Sequence, residues 1–173
     1  RNLPENILVK LPEYISEDMA AAIMLKGCTA QYLLKETYKV KRGDTVLIHA
    51  AAGGVGLIAC QWAKHLGATV IGTVSTEEKA KIARLNGCSH VINYSKQNFL
   101  EIVNDITNGQ GVNYVCDGVG KDTFLGSCQS LKQFGIISIF GSSSGHIDEK
   151  LIKNFPSEKY LIKTTLPGYT ATR

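Results

Sequence analysis

The stretch Thr45–Gly56, TVLIHAAAGGVG, decides how the rest of the chain is read. Its first five residues, Thr45 to His49, form an apolar run suited to a buried strand, and small residues follow at once. A helix opens at about Gly54 and continues as VGLIACQWAKHLG. A tight turn from a parallel strand into a helix leaves free backbone N–H groups at the helix start, where an anion can sit. Side chains there must be small, because a dinucleotide pyrophosphate approaches the backbone and the helix packs close to the strand. On the fingerprint G-x-G-x-x-G the aligned residues are Ala51, Gly53 and Gly56, so an alanine stands in the first glycine position. Context gives the pattern its weight: a second strand, Ala68 to Val74, follows the helix in the order a nucleotide-binding unit requires.

Outward from this unit, strands and helices alternate. Gly67 closes the first helix, 54–66, in a position suited to a left-handed residue. The second strand is expected at 69–74, a helix at Glu77–Asn86, and a short third strand at His90–Asn93. A helix over Lys96–Thr107 leads to a fourth strand, Val112–Cys116, and to the loop Asp117–Gly120. A helix at 122–131 precedes a fifth strand, Gly135–Phe140, and the loop GSSSG, 141–145. A helical turn near 149–154 and a last strand, Lys159–Thr164, complete the series. This alternation implies a Rossmann-type α/β fold, a doubly wound six-stranded parallel sheet of order 3-2-1-4-5-6 with helices on both faces.

Before the fingerprint, Glu13–Met24 reads as a helix capped by Ser16, with Glu17 and Asp18 in its first turn. Gly27 is expected to break it, and Cys28–Tyr38 to form a second helix. Residues 1–12 hold a short extended run, Ile7–Leu11, between two prolines. The chain starts at Arg1 and ends at Thr172-Arg173, so a piece of a longer protein is expected.

Composition excludes several classes. Among 173 residues, 19 are basic and 15 acidic, and the net charge of +4 is scattered along the chain. No basic block or basic–aromatic interleaving points to nucleic acid. No run approaches the roughly 18 apolar residues of a membrane span, and the first residues carry no signal-peptide pattern. Cys28, Cys60, Cys88, Cys116 and Cys128 are far apart, with no C-x-x-C pair, which reads as reduced buried thiols in a cytoplasmic protein. His65, His90 and His146 are equally scattered, and no metal site is expected. His49 reads as a packed histidine, and Asp117, at a strand end, as a general acid or a loop cap.

The end of the second strand discriminates between nicotinamide cofactors. A carboxylate there bonds the ribose 2′-hydroxyl of NAD and repels the 2′-phosphate of NADP. The segment Gly72–Thr76 contains no acid, Ser75 and Thr76 offer hydroxyls, and Lys79 lies one turn on. Glu77 and Glu78 stand against an anion site. The same residues also make an ordinary helix start, a hydroxyl cap followed by acids that suit the positive helix end. The missing carboxylate and Lys79 together favour NADP, with the glutamates turned to solvent.

Six segments carry a family resemblance: LKGCTAQYLL (25–34), HAAAGGVG (49–56), QWAKHLGATVIGTVSTEEKA (61–80), VINY (91–94), CDGVG (116–120) and FGSSSG (140–145). The chain resembles the zinc-free quinone oxidoreductases, zeta-crystallin-like NADPH:quinone reductases of the medium-chain dehydrogenase/reductase superfamily. The resemblance covers essentially the whole chain and implies a protein about twice as long. It implies that residues 1–12 leave a GroES-like catalytic domain, that 13–164 form the dinucleotide-binding domain, and that 165–173 begin the return. It further implies that Ala52, Gly53, Gly54 and Val55, with Gly56 closing the turn, bind the pyrophosphate. Ser75, Lys79 and Tyr94 would surround the 2′-phosphate, and Thr29 would approach the nicotinamide. Val119, Gly120, Phe140, Gly141 and Ser142 would line the ribose and carboxamide. Thr29 and Tyr94 also have ordinary readings, as a helix residue and a half-buried aromatic.

The implied activity is hydride transfer from NADPH to a quinone, in a homodimer joined through Lys159–Thr164. The catalytic residues would lie mostly outside this chain, which alone would bind cofactor without turnover. The alternatives are an NADPH-dependent reductase of α,β-unsaturated aldehydes or ketones and a non-catalytic NADP-binding module.

Overall fold

A computed structural model of the chain describes residues 2, 4, 5 and 8–170. Arg1, Leu3, Asn6, Ile7 and residues 171–173 lie outside the described set. The expected extended run from Ile7 and the last three residues of the expected return segment therefore fall partly beyond it.

Among the described residues six strands form one parallel sheet: β1 (Thr45–Ile48), β2 (Thr69–Val74), β3 (His90–Asn93), β4 (Val112–Asp117), β5 (Leu131–Ile139) and β6 (Tyr160–Lys163), in the order β3-β2-β1-β4-β5-β6. This is the expected Rossmann order, with the switch point between β1 and β4. The helices are α1 (Glu17–Gln31), α2 (Gly54–His65), α3 (Glu77–Leu85), α4 (Phe99–Ile106), α5 (Phe124–Ser130), α6 (Glu149–Lys153) and α7 (Leu166–Thr170).

Strand residues alternate between two cores, because successive side chains leave opposite faces of a sheet. Val46, Ile48, Val70 and Val74 pack with Ala30, Leu33, Ala59, Ala63 and Ala83, so α1, α2 and α3 cover one face. Leu47, Ile71 and Ile92 pack with Val103, Phe124 and Cys128, so α4 and α5 cover the other. Both faces of the central strands are therefore dry, as a parallel sheet demands.

The structure corrects several boundaries. Gly27 does not break the first helix. Ser16 caps α1 as expected, accepting from Met19 N at 3.2 Å, but the helix runs unbroken to Gln31 and passes into a π-helical turn, Tyr32–Thr37. One glycine costs a helix only about 1 kcal/mol relative to alanine, and packing against α2 outweighs that. The fifth strand also starts earlier than Gly135. Val112 faces Leu131 but Tyr114 faces Ile136, so β5 carries three extra residues in a bulge. Phe134 in that bulge has φ 60° and points outward, its amide donating to Glu158 O at 2.7 Å. The regular ladder from Ile136 is the part that a period-2 pattern reveals. Finally, Cys28 is exposed on α1, unlike the other four cysteines.

Beyond β6 the chain folds back. Tyr169 of α7 stacks on Tyr32 with ring centroids 4.4 Å apart, and its hydroxyl lies 2.7 Å from Thr37 Oγ1. Among the described residues, no helix is long and apolar enough to cross a membrane.

Candidate functional site

The site forms where β1, β2 and β4 end. Past Ile48 the chain turns through His49 and Ala50, the latter at φ 51°, and enters α2 at Gly54. Gly53 precedes the helix in extended geometry and, having no side chain, offers no cap. The first amide of α2 to find a backbone acceptor is that of Leu57, bonded to Gly53 O at 2.9 Å. The helix start thus presents donors to whatever occupies the space before it.

The glycines of this turn have separable roles. A Cβ on Gly56 would collide with the Ala50 carbonyl oxygen and stand 2.8 Å from Ala51 Cα and O. Gly56 therefore sets how closely the helix approaches the turn. Ala51, in the first fingerprint position, is completely buried and lies against Gly72 of β2, whose absent Cβ would be 2.6 Å from the Ala51 methyl. That contact explains how alanine is accommodated: β2 supplies the space. Gly53 and Gly54 are exposed, with Ala52 and Val55 half-buried. Lys26 of α1 crosses Gly54, its Cδ 2.6 Å from the Cβ position there. Thr29, one turn further along α1, is buried and donates its hydroxyl to Leu25 O at 2.8 Å.

At the end of β2, Thr76 caps α3 by accepting from Lys79 N at 3.2 Å, and Lys79 Nζ donates to Ser75 Oγ at 3.2 Å. The structure thus brings Ser75 and Lys79 together. Tyr94 follows β3 alongside them, its amide bonded to Val74 O at 3.0 Å and its side chain 51% exposed. The expectation that Glu77 turns freely to solvent is not met, although its side chain stays 52% exposed. It accepts from Asn93 Nδ2 at 2.9 Å and Lys96 Nζ at 3.3 Å. Those bonds hold its carboxyl below the usual range, the Asn93 bond contributing most. Ser95 Oγ donates to Ser75 O at 2.9 Å and ties the two strand ends. Asn93, Ser95 and Lys96 are the site residues that sequence reasoning missed; the signal was their adjacency to Tyr94.

At the end of β4, Asp117 is completely buried and collects donors from Val119 N (2.9 Å), Gly120 N (3.0 Å), Thr123 Oγ1 (2.8 Å to Oδ2) and Ser127 Oγ (2.9 Å). It acts as the loop cap that was expected. Ser127 continues to His49 Nε2 at 2.9 Å, and His49 Nδ1 lies 3.0 Å from Thr73 Oγ1. Burial pushes the His49 pKa down, against a smaller opposing pull from Asp117. The buried imidazole is therefore neutral, and this chain fixes three strand ends to one another. The loops after β4 and β5 are joined as well. Ser144 N and Oγ each donate to Val119 O at 2.9 Å, and a Cβ on Gly141 would fall 2.6 Å from Gly118 O. Phe140 lies across Gly118, Gly120 holds φ 92°, and Ser142 is exposed at the rim.

Between these strand ends opens a cleft of ≈ 480 Å³, lined in part by His49, Thr73, Tyr94, Phe99, Val119 and Ser143. It lies at the switch point, where open α/β sheets take their ligands. His49 and Thr73 in its lining are hydrogen-bonded to each other, Ala50 of the turn before α2 and Tyr94 after β3 border it, and Asp122 is the acidic side chain on its wall. Such a surface can hold an extended anion with aromatic and ribose parts. Among the described residues, no three His, Cys, Asp or Glu side chains gather into a set able to hold a metal ion.

Comparison with known proteins agrees with this geometry. Residues 54–168 match the zinc-binding dehydrogenase family. The chain belongs to that family. It is 45% identical over 172 residues to a quinone oxidoreductase of Pseudomonas aeruginosa, covering 98% of this chain and 53% of that protein. It is 55% identical over 150 residues to a 2-haloacrylate reductase of a Burkholderia species, covering 86% and 45%. Among solved structures, it superposes on the Escherichia coli quinone oxidoreductase complexed with NADPH with a TM-score of 0.87 and 45% identity, covering 93% of this chain and 50% of that one. The resemblance read from the sequence is borne out. The chain spans about half the length of these relatives.

Proposed function

We propose that this chain is the cofactor-binding part of an NADPH-dependent oxidoreductase that reduces a quinone. One observation carries the reading most directly. At the end of β2 the Lys79 ammonium reaches Ser75, and of the two carboxylates in the first turn of α3, Glu77 is already engaged by Asn93 and Lys96. A 2′-phosphate meets a cation and hydroxyls there, with the competing negative charge offset. The NADPH complex of the E. coli relative supports the same cofactor.

On this reading the turn Ala52-Gly53-Gly54-Val55-Gly56 takes the pyrophosphate on backbone N–H groups. Ser75, Lys79 and Tyr94 surround the 2′-phosphate. Val119, Gly120, Phe140, Gly141 and Ser142 line the ribose and nicotinamide side, with Thr29 approaching from α1. When bound, NADPH supplies the hydride. These residues orient and partly dry the cofactor, and the hydrogen-bonded chain Asp117–Ser127–His49–Thr73 holds the strand ends in place. The acceptor pocket belongs largely to sequence outside this chain, with residues 1–12 leaving a catalytic domain and 165–173 beginning the return. The proposed reaction is zinc-independent, as the resemblance to the zinc-free quinone oxidoreductases implies. A homodimer through the edge strand β6, with Tyr160 52% exposed, and a cytoplasmic location complete the reading.

A second reading has specific support: 55% identity to a 2-haloacrylate reductase favours reduction of an activated carbon–carbon double bond. Assays of the complete protein with a quinone and with a 2-haloacrylate, following NADPH oxidation, separate the two. We expect turnover with the quinone and none from the 173-residue chain alone; turnover only with the haloacrylate refutes the quinone assignment.

A further inference from the structure

Beneath the phosphate turn lies a pair of thiols that the proposed hydride transfer does not use. Cys60 is fully buried on the inner side of α2, and Cys88 is 7% exposed in the connection from α3 to β3. Their Sγ atoms are 3.4 Å apart and both cysteines are free. Backbone packing imposes the contact, since a Cβ on Gly87 would fall 2.8 Å from the Cys60 carbonyl oxygen. The pair also touches the turn. Cys60 Sγ lies 4.0 Å from Ala51 O, and the Cβ position of Gly72 is 2.6 Å from both Cys88 Sγ and the Ala51 methyl. Gly72 therefore opens a pocket in which the thiols and the fingerprint turn meet.

A disulfide needs its sulfurs about 2.05 Å apart, so closure brings the two sulfurs about 1.3 Å nearer than the 3.4 Å seen here. The two sulfurs are also unequal. The Cys60 contact pulls the Cys88 thiol below its ordinary value against the effect of burial, while the same contact and burial push Cys60 up. The better thiolate is thus Cys88, the less deeply buried of the two.

We propose that Cys60 and Cys88 are a redox-active dithiol, closed by hydroperoxides into an intrachain disulfide that disturbs the phosphate turn above it. The Cys88 thiolate attacks one peroxide oxygen, the O–O bond breaks, and the departing hydroxide or alkoxide takes up the proton the thiol released to solvent and leaves as water or an alcohol, giving a sulfenic acid. Cys60 Sγ then attacks Cys88 Sγ. The S–O bond breaks, and the departing hydroxide takes the Cys60 proton and leaves as water. Two thiols lose two electrons, and the peroxide accepts them.

Hydrogen peroxide treatment of the chain, quenching with N-ethylmaleimide in denaturant and peptide mapping by mass spectrometry test this step. The expected product is a Cys60–Cys88 linked peptide that dithiothreitol reverses, unchanged in Cys28→Ser. Cys60→Ser should stop at a Cys88 sulfenic acid trapped by dimedone. Full alkylation of both thiols after peroxide, or linkage mainly through Cys28, Cys116 or Cys128, overturns the proposal. The unsubstituted chain decides this without relying on any variant that folds poorly.

The effect on the turn rests on the NADPH reading. The oxidised chain should bind NADPH about tenfold more weakly, as loss of one backbone hydrogen bond would produce, and recover on reduction. Equal affinity in the two states refutes the coupling. If the reduced chain binds no NADPH, the cofactor reading fails, while the peptide map still decides the thiol chemistry.

Discussion

Replacing Gly56 by alanine tests the turn most severely. The added methyl would collide with the Ala50 carbonyl oxygen and stand 2.8 Å from Ala51 Cα and O, against the 3.4 Å of ordinary contact. All three atoms belong to backbone, so no side chain can swing away, and the turn must shift or α2 must lift from β1. Overpacking of this kind costs about 3 kcal/mol, at the upper end of its usual range. Alanine returns up to about 1 kcal/mol of helix propensity, leaving a net loss of about 2 kcal/mol. For a domain of this size that lowers Tm by about 4–8 °C. Gly27→Ala is the control, because no heavy atom lies within 4 Å of its Cβ position. It should raise stability by about 0.5–1 kcal/mol. Urea unfolding followed by circular dichroism, compared at constant m, measures both. A Gly56→Ala midpoint equal to the parent, or a loss at Gly27 as large as that at Gly56, would refute the packing argument.

Three further outcomes follow from the site. Lys79→Ala should weaken NADPH binding about tenfold, the worth of one charge-assisted contact, and leave NADH nearly unchanged; equal loss for both removes Lys79 from the 2′-phosphate. His49 is held neutral by burial, so below its ordinary pKa of 6.5 the unfolded chain binds the extra proton. Stability is then complete above that pH and falls as pH drops through it, by up to about 1.4 kcal/mol per unit. His49→Gln should flatten this dependence in urea unfolding, and an unchanged slope would contradict the neutral assignment. Tyr160→Glu on the β6 edge should shift a dimer to monomer in analytical ultracentrifugation, and an unaltered dimer would move the interface elsewhere.

The sheet order was legible because every parallel strand here is a short apolar run separated from the next by a helix with its own cap or closing glycine. Ser16 as a cap, a hydroxyl cap at Ser75 or Thr76 and the strand at Thr45 needed no tertiary information. Gly27 misled because a lone glycine is a weak local signal, overridden when α1 packs along α2. The bulge before Ile136 escaped because its residues, Lys132 to Gly135, break the period that marks a strand. Within the site, Ser75 and Lys79 were legible as neighbours four apart at one helix start. The engagement of Glu77 was not, since Asn93 and Lys96 reach it from the far side of β3, 16 and 19 positions away. The chain from Asp117 through Ser127 to His49 was hidden for the same reason, joining residues up to 78 positions apart.

The most direct test of the account is a calorimetric titration of this chain with NADPH and, separately, with NADH. The account predicts saturable binding of NADPH, with NADH weaker by about tenfold, one ion pair to the 2′-phosphate. Equal affinity for the two would contradict the Ser75–Lys79–Tyr94 assignment, and binding of neither would contradict the claim that this chain holds the cofactor itself.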